Sequence, residues 1–301
     1  MNWTKHNDTF QIPTPTDFNF QECLVFLKRS NQEILHRVGE QFVEKLLYIQ
    51  NNMILLHISW TPKSLILRFP LGCPSFDEQK QVVKYVCEWF DLSRNLDEFY
   101  LMASRDPLLA PIAESYRGLR VIGFPDLFEA ITWAITGQQI NLTFAYTLRK
   151  RFIEHYGESI SVGNQTYWLY PNPRKISFLS IDELRSLQFT GRKAEYIIGV
   201  AKAMMNEQIS KASLLQENKQ EAIASLTALR GIGEWSAHYV LMKCLGDMSA
   251  FPVTDVGLQN AIKDQLGLER KPTINEIHSL AADWEGWQTY ATFYLWRTLY
   301  D

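Results

Sequence analysis

Between residues 229 and 237 the sequence reads Leu229-Arg230-Gly231-Ile232-Gly233-Glu234-Trp235-Ser236-Ala237. Two glycines one residue apart permit a tight turn with positive φ, and without side chains their amides can come close to another molecule. A helical pattern starts just after, so the free N–H groups of its first turn point the same way. Amides gathered like this bind anions such as phosphates without any basic side chain. Ile232, between the glycines, can anchor the turn in the core. On these residues alone, the plainer reading of a helix-helix turn closed by a C′ glycine is the stronger one.

Asp255 directly precedes a helical stretch over 256–265, where aspartate is a common N-cap, and taken alone it reads as that cap. Trp235 and Tyr239 are four residues apart and share a helix face. Nine Trp, 13 Tyr and 17 Phe leave room for a stacking pocket, although aromatics at helical spacing are first of all core residues. Arg192 with Lys193, and Arg149, Lys150 and Arg151, form local positive clusters; each reads as a solvated face, with phosphate contact as the alternative. The histidines show no metal-ligand spacing, and His238 receives no role.

The elements that must position these residues fall into two parts. Residues 1–95 read as an α+β unit: helices over 20–29 and 77–90, and strand-like runs at 46–49, 54–60 and 64–69, the last two forming a hairpin around Thr61-Pro62-Lys63. From residue 96 strand signals almost vanish. Helical periods follow at 96–103, 109–116, 125–136, 142–156, 181–187, 191–206, 219–229, 234–244, 256–265, 274–283 and 287–299. The fold class is therefore α+β: a small N-terminal antiparallel sheet with helices, then a mostly helical core. That core divides into a central subdomain, about 120–248, and a second made of 96–119 plus 249–301, with a cleft between them.

At 301 residues, 46% hydrophobic and 21% charged, the chain can bury a large core and suggests two or three domains. A formal net charge of -3 and a pI near 6.1 do not advertise a nucleic-acid binder, so any such binding must come from local amides and a few Lys and Arg. Cys23, Cys73, Cys87 and Cys244 are scattered, which argues against a structural zinc site or a cysteine-held cluster and for reduced thiols. No apolar signal core or bilayer-length apolar run is present, so a soluble, intracellular protein is expected.

The string LRGIGEWSAHYVLMKCLGDMSAFPVTDVGLQ resembles the helix-hairpin-helix, Gly/Pro-Asp superfamily of DNA glycosylases, most of all its methyladenine branch. FEAITWAITGQQINLTFAYTLRKRF is similar to the family's helix with its wedge loop. YPNPRKISFLSIDELRSLQFTGRKAEYI is similar to the segment after it, and WEGWQTYATFYLW to the C-terminal helix. The N-terminal α+β unit is compatible, more loosely.

The resemblance implies roles. Asp255 takes the place of the family's essential aspartate, which stabilises the positive charge that develops on deoxyribose as the glycosidic bond breaks. Gly231, Gly233, Ser236 and Ala237 would grip a DNA phosphate. Trp235 stands where the bifunctional branch has a Schiff-base lysine, which implies base hydrolysis without strand nicking; Lys243, two turns on, is no substitute. Trp235, Tyr239 and Trp296 would wall an aromatic cleft attractive to cationic bases, while Trp284, Trp287 and Tyr290 are core. Gln139, or Ile140 in its place, would be the wedge that fills the gap left by a flipped base. Backbone carbonyls of Thr227, Leu229 and Gly231 would hold a monovalent cation, Na⁺ or K⁺; no other cofactor is implied.

The expected function is excision of alkylated purines of the 3-methyladenine and 7-methylguanine type from double-stranded DNA after base flipping, with no lyase step. A cytoplasmic monomer, nucleoid-associated when bound to DNA, is expected. Two alternatives remain open: a glycosylase for deaminated or etheno purines, and a non-enzymatic helix-hairpin-helix DNA-binding module.

Overall fold

Six antiparallel strands form the N-terminal sheet, in the order β1-β2-β6-β5-β4-β3: β1 Thr4–His6, β2 Thr9–Pro13, β3 His36–Val38, β4 Phe42–Ile49, β5 Asn52–Thr61 and β6 Ser64–Arg68. The computed structural model describes residues 3–6 and 9–300. The expected hairpin is β5–β6, closing with Thr61 opposite Ser64. The sheet is wider than the three expected strands: β1 and β3 are too short to show a period of two, and β2, five residues ending on Pro13, was also not expected. β4 and β5 join through Gln50 and Asn51, both at positive φ (49° and 70°), a two-residue turn without the glycine that would have marked it. Helices α1 (Phe20–Leu27) and α2 (Phe76–Trp89) flank the sheet, α2 opening on a capping box between Ser75 and Glu78.

The rest of the chain is mainly helical. In order come α3 (Asp97–Ala103), α4 (Leu109–Ser115), α5 (Leu127–Gly137), α6 (Leu142–Tyr156), α7 (Pro173–Ile176), α8 (Ile181–Ser186), α9 (Gly191–Met205), α10 (Lys211–Leu214), α11 (Lys219–Thr227), α12 (Glu234–Val240), α13 (Val256–Gln265), α14 (Ile274–Leu280) and α15 (Gln288–Arg297). The helix expected over 234–244 is divided: α12 passes into a π-helical turn, Leu241–Leu245, that ends at Gly246. The part after residue 96, where strand signals almost vanish, still holds one short hairpin that the sequence reading did not place. A hairpin of four-residue strands, β7 (Ser159–Val162) and β8 (Gln165–Trp168), turns at Gly163 with φ 58°. Its Tyr167 packs on Leu46 and Leu55 of the large sheet, and the Tyr167 hydroxyl donates to Glu44 at 2.8 Å. It therefore serves the sheet, not the helical array.

One hydrophobic core runs from Phe10 to Trp296 and joins both parts of the chain. Phe26 of α1 meets Phe293 of α15 at 4.6 Å between ring centroids. The α3–α4 segment packs against α15, where the Tyr100 and Tyr294 hydroxyls are 3.1 Å apart. A buried ionic junction fixes the two parts further: Arg149 of α6 pairs with Glu129 of α5 and, at 3.1 Å, with Glu33. Burial opposes the Glu33 carboxylate, but Arg149 and His36 beside it outweigh this and bring it down to about 2. Burial also lowers His36, to about 4. Such a cluster adds little net stability yet is costly to break on one side, so it holds register. Among the described residues no helix is long and apolar enough to cross a membrane.

Candidate active site

The segment before α13 is pinned residue by residue. His238 of α12 accepts the Phe251 amide on Nδ1 at 3.1 Å, and the Thr289 hydroxyl of α15 donates to the carbonyls of Asp247 (2.7 Å) and Ala250 (3.1 Å). Pro252 is buried, and its carbonyl receives the Asp255 amide at 2.8 Å. These bonds deliver Asp255 to the start of α13 with extended backbone (φ -65°, ψ 126°) as its N-cap.

The Asp255 carboxylate is gripped from three sides. Oδ1 accepts the Leu258 amide at 2.7 Å and the Trp296 indole N–H at 2.9 Å, and Oδ2 accepts the Trp235 indole N–H at 3.0 Å. A carboxylate offers about four lone-pair directions, so roughly one is left for a bound molecule. The side chain is half-buried between exposed Thr254 and exposed Val256, so it still reaches the surface. Capping and chemistry are thus compatible at this position. The two indoles do more than stack: they aim their only polar atoms at one anion and fix its rotamer.

Tyr239 lies between the indoles, 5.5 Å from Trp235 (31° between planes) and 6.1 Å from Trp296 (37°). A base sandwiched between two rings needs about 7 Å, two van der Waals gaps. Neither gap beside Tyr239 is therefore wide enough to take a base. Tyr239 and Trp296 are buried and Trp235 is half-buried, so of the three Trp235 offers most surface to an incoming molecule. Burial pushes the Tyr239 hydroxyl far above its ordinary range and keeps it neutral. Trp284 and Tyr290 are fully buried and Trp287 packs beside them, as core residues.

Gly257 is a contributor that sequence reasoning did not single out. A Cβ there would sit 2.9 Å from Asp255 Oδ1 and 3.3 Å from Trp296 Nε1, so the indole reaches the carboxylate only across a glycine.

The hairpin shows what each glycine does. Gly231 has φ 92°, and a Cβ on it would fall 2.2 Å from the Tyr196 ring, so fold and conformation both demand glycine. Gly233 has φ -96°, open to any residue, and a Cβ there would meet nothing. The fold does not require glycine at 233; close approach by a molecule outside the chain would. Gly233 is the N-cap of α12 and no side chain caps that helix, so the first-turn amides of Glu234, Trp235 and Ser236 have no side-chain acceptor. Ala237 is a correction: its amide donates to the Gly233 carbonyl at 2.9 Å and is spent within the helix. Ile232 is buried and anchors the turn.

The carbonyls expected to hold a cation are partly engaged. Leu229 O accepts the Ile232 amide at 3.1 Å, and Gly231 O accepts Gln138 Nε2 at 2.9 Å. A carbonyl oxygen has two lone pairs, so Leu229 O and Gly231 O each keep one with which, beside Thr227 O, a monovalent cation would be held.

In the loop from α5 to α6, Gln139 is exposed with φ 55°, while Ile140 is half-buried against the core. Of the two expected wedge residues, Gln139 is the one that projects. Exposed Leu142 and Phe144 flank it, apolar side chains the sequence reading passed over. In the basic clusters Arg192 is exposed, as a solvated face would have it, but two other members depart from both readings. Buried Lys193 donates to Thr136 O at 2.8 Å, and buried Arg149 serves the ionic junction, so neither is solvated or free to meet a phosphate.

Residues 132–285 match the HhH-GPD superfamily of base excision DNA repair proteins, and residues 4–131 match the 8-oxoguanine DNA glycosylase N-terminal domain. The chain is 42% identical to DNA-3-methyladenine glycosylase of Bacillus subtilis (strain 168), over the full length of both. It is 28% identical to DNA-3-methyladenine glycosylase 2 of Escherichia coli (strain K12), over 60% of this chain and 61% of the other. The solved 3-methyladenine DNA-glycosylase from Archaeoglobus fulgidus superposes with a TM-score of 0.83 at 21% identity, covering 95% of this chain and 97% of that one, a likeness of fold.

Proposed function

This chain belongs to the HhH-GPD superfamily of base excision DNA repair proteins and is a DNA glycosylase, and on that premise we propose that it hydrolyses the N-glycosidic bond of alkylated purines of the 3-methyladenine and 7-methylguanine type, leaving the abasic strand uncut. The observation that carries this reading is the Asp255 carboxylate, fixed at the rim of an aromatic cluster by the indole N–H groups of Trp235 and Trp296.

The chemistry follows from charge. The free amides of the hairpin and of the first turn of α12 receive a backbone phosphate. The base turns out of the stack and lies against the outer side of the Trp235–Tyr239–Trp296 cluster. N3- or N7-alkylated purines carry positive charge, which aromatic faces attract by ~0.5–2 kcal/mol each. As the bond lengthens, the base leaves neutral with the bonding electrons and charge moves to the deoxyribose, where a carboxylate already oriented by three donors stabilises it without reorganising. Water then adds to C1′ and gives up its proton, leaving the abasic sugar. Such bases leave readily, so a strong general acid is not needed. Residue 235 is a tryptophan and has no amine for a Schiff base, which supports hydrolysis without a lyase step.

A second reading, excision of neutral deaminated or etheno purines, is favoured by the open outer side of the cluster, which has no built-in requirement for charge. Incubation with duplexes carrying 7-methylguanine, 3-methyladenine, hypoxanthine or ethenoadenine, read for free base and for strand breaks with and without alkali, separates the two. We expect methylated bases to be released and strands to break only after alkali. Breaks without alkali would contradict the Trp235 argument, and release of the neutral purines alone would favour the second reading.

Gly257→Ala tests the indole-carboxylate contact. Gly257 lies in the first turn of α13, where alanine's advantage over glycine is reduced and a strained Asp255 cap opposes it, so stability should change by no more than about 1 kcal/mol. The added methyl must displace Asp255 or Trp296, and misplacement on the ångström scale costs up to about a hundredfold in rate. Excision is expected to fall at least several-fold while the melting temperature shifts little, with kcat and thermal unfolding as the measurements.

A further inference from the structure

One side chain ties the exposed loop to the hairpin. Gln138, the C-cap of α5, donates both N–H bonds of its amide across to the other element: Nε2 meets Gly231 O at 2.9 Å and Ser236 Oγ at 3.1 Å. Its two acceptors lie on either side of the Gly231–Gly233 turn, one before the free amides and one at their end. The neighbouring residue is Gln139, exposed and in the left-handed region at φ 55°, a conformation that a non-glycine residue keeps only when its surroundings hold it. The other end of the joint is also fixed, because Lys193 binds the Thr136 carbonyl in the last turn of α5 at 2.8 Å. The end of α5 is therefore hydrogen-bonded to the hairpin on one side and to α9 on the other, with the loop starting between them.

We propose that Gln138 is a positioning residue that couples the grip on the phosphate to the insertion of Gln139, so that seating a diester on the hairpin amides sets how far the loop enters the duplex. This rests on the function proposed above. Gln138 touches neither the base nor the reacting atoms; it acts through the loop. Ile232 and the Tyr196 ring hold the hairpin to the core, and the Gln138 amide joins it to the loop.

The coupling predicts a context-dependent defect. Holding the loop in place matters most when the target base is stably paired and stacked, and least when unstacking costs little. The test uses the full-length protein and Gln138→Leu, which keeps the bulk and removes both donors. Single-turnover release of 7-methylguanine is followed from three substrates: paired with cytosine, mismatched with thymine, and in a single strand. A 2-aminopurine placed beside the lesion reports unstacking by fluorescence, independently of bond cleavage. Loss of two hydrogen bonds near 1 kcal/mol each corresponds to about tenfold to thirtyfold. That slowing is expected on the paired duplex, with a matching loss of the fluorescence change. A much smaller slowing is expected on the mismatch and almost none on the single strand, while binding of undamaged duplex is unchanged. Ser236→Ala, which removes one acceptor and leaves the backbone amide, should shift the paired substrate in the same direction by a few-fold.

Equal slowing on all three substrates would mean that Gln138 only supports the fold or the chemistry, and would overturn the coupling. So would a paired-duplex rate unchanged in Gln138→Leu. If the wild-type protein unstacks the reporter but releases no methylated base, the proposed function fails, and the coupling is then decided by the fluorescence of Gln138→Leu alone.

Discussion

Replacing Asp255 with asparagine is expected to remove nearly all base release while leaving the protein folded and able to bind DNA. Asparagine is an N-cap as good as aspartate, so the bond from the Leu258 amide survives and α13 keeps its start. What changes is charge and donor pattern. The carboxylate accepts three N–H groups through two oxygens; the amide has one accepting oxygen and an NH₂. If that oxygen stays with Leu258 and Trp296, the NH₂ is driven against the Trp235 N–H. If it turns to Trp235, the cap is lost. Either way the negative charge that the proposed mechanism sets beside the deoxyribose is gone. Removing a single preorganised electrostatic partner of a transition state typically costs about 10²–10³ in rate, and a full charge is at least such a partner. Single-turnover release of methylated base, with DNA binding and thermal unfolding measured on the same preparation, checks this. Release at the wild-type rate would mean that the catalytic group lies elsewhere.

A Gly-x-Gly turn and an Asp before a helix were each readable from residue type, because both depend on backbone. Taken alone they read as a helix-helix turn and an N-cap; their pairing as one site came only from the family resemblance. The aromatic residues were also readable, since Trp235 and Tyr239 share a helix face at a spacing of four. Their contiguity was not, because it depends on how α15 lies against α12, and no local pattern encodes that. The same holds for Gly257, whose only sign is a glycine early in a helix, and for Gln138, whose partners are more than ninety residues away. Charge misled in the other direction. Lys193 and Arg149 sit among other basic residues and read as surface, yet long side chains can bury their stems and carry charge to an interior carbonyl or carboxylate. Strands of three or four residues, β1 and β3 in the sheet and the β7–β8 hairpin beside it, escaped because a period of two needs more than one repeat to be seen; five-residue β2 was missed although it alternates; and the β4–β5 turn uses Gln-Asn where glycine would have marked it.

The other large effect is expected at Gly231, and its sign and parts can be worked out. Gly231→Ala places a methyl where the Tyr196 ring already lies, 2.2 Å from the ideal Cβ, and asks an L-residue to hold φ 92°. Left-handed backbone costs a non-glycine residue about 1–2 kcal/mol, and forcing a methyl into packed space costs about 1–3 kcal/mol more. The turn can relieve both only by rotating, which would pull the Gly231 carbonyl from Gln138 and turn the amides that follow away from a phosphate. Stability is expected to drop by about 2–5 kcal/mol, the sum of those two terms, and duplex binding should weaken even at temperatures where the variant is still folded. The two costs separate in a double-mutant cycle. Tyr196→Ala removes the ring, so Gly231→Ala made in that background should recover the packing share and retain the backbone share. If Gly231→Ala is as stable as wild type and binds duplex DNA as tightly, the turn is not held as described, and neither the hairpin's grip nor its link to Gln138 can work through this geometry.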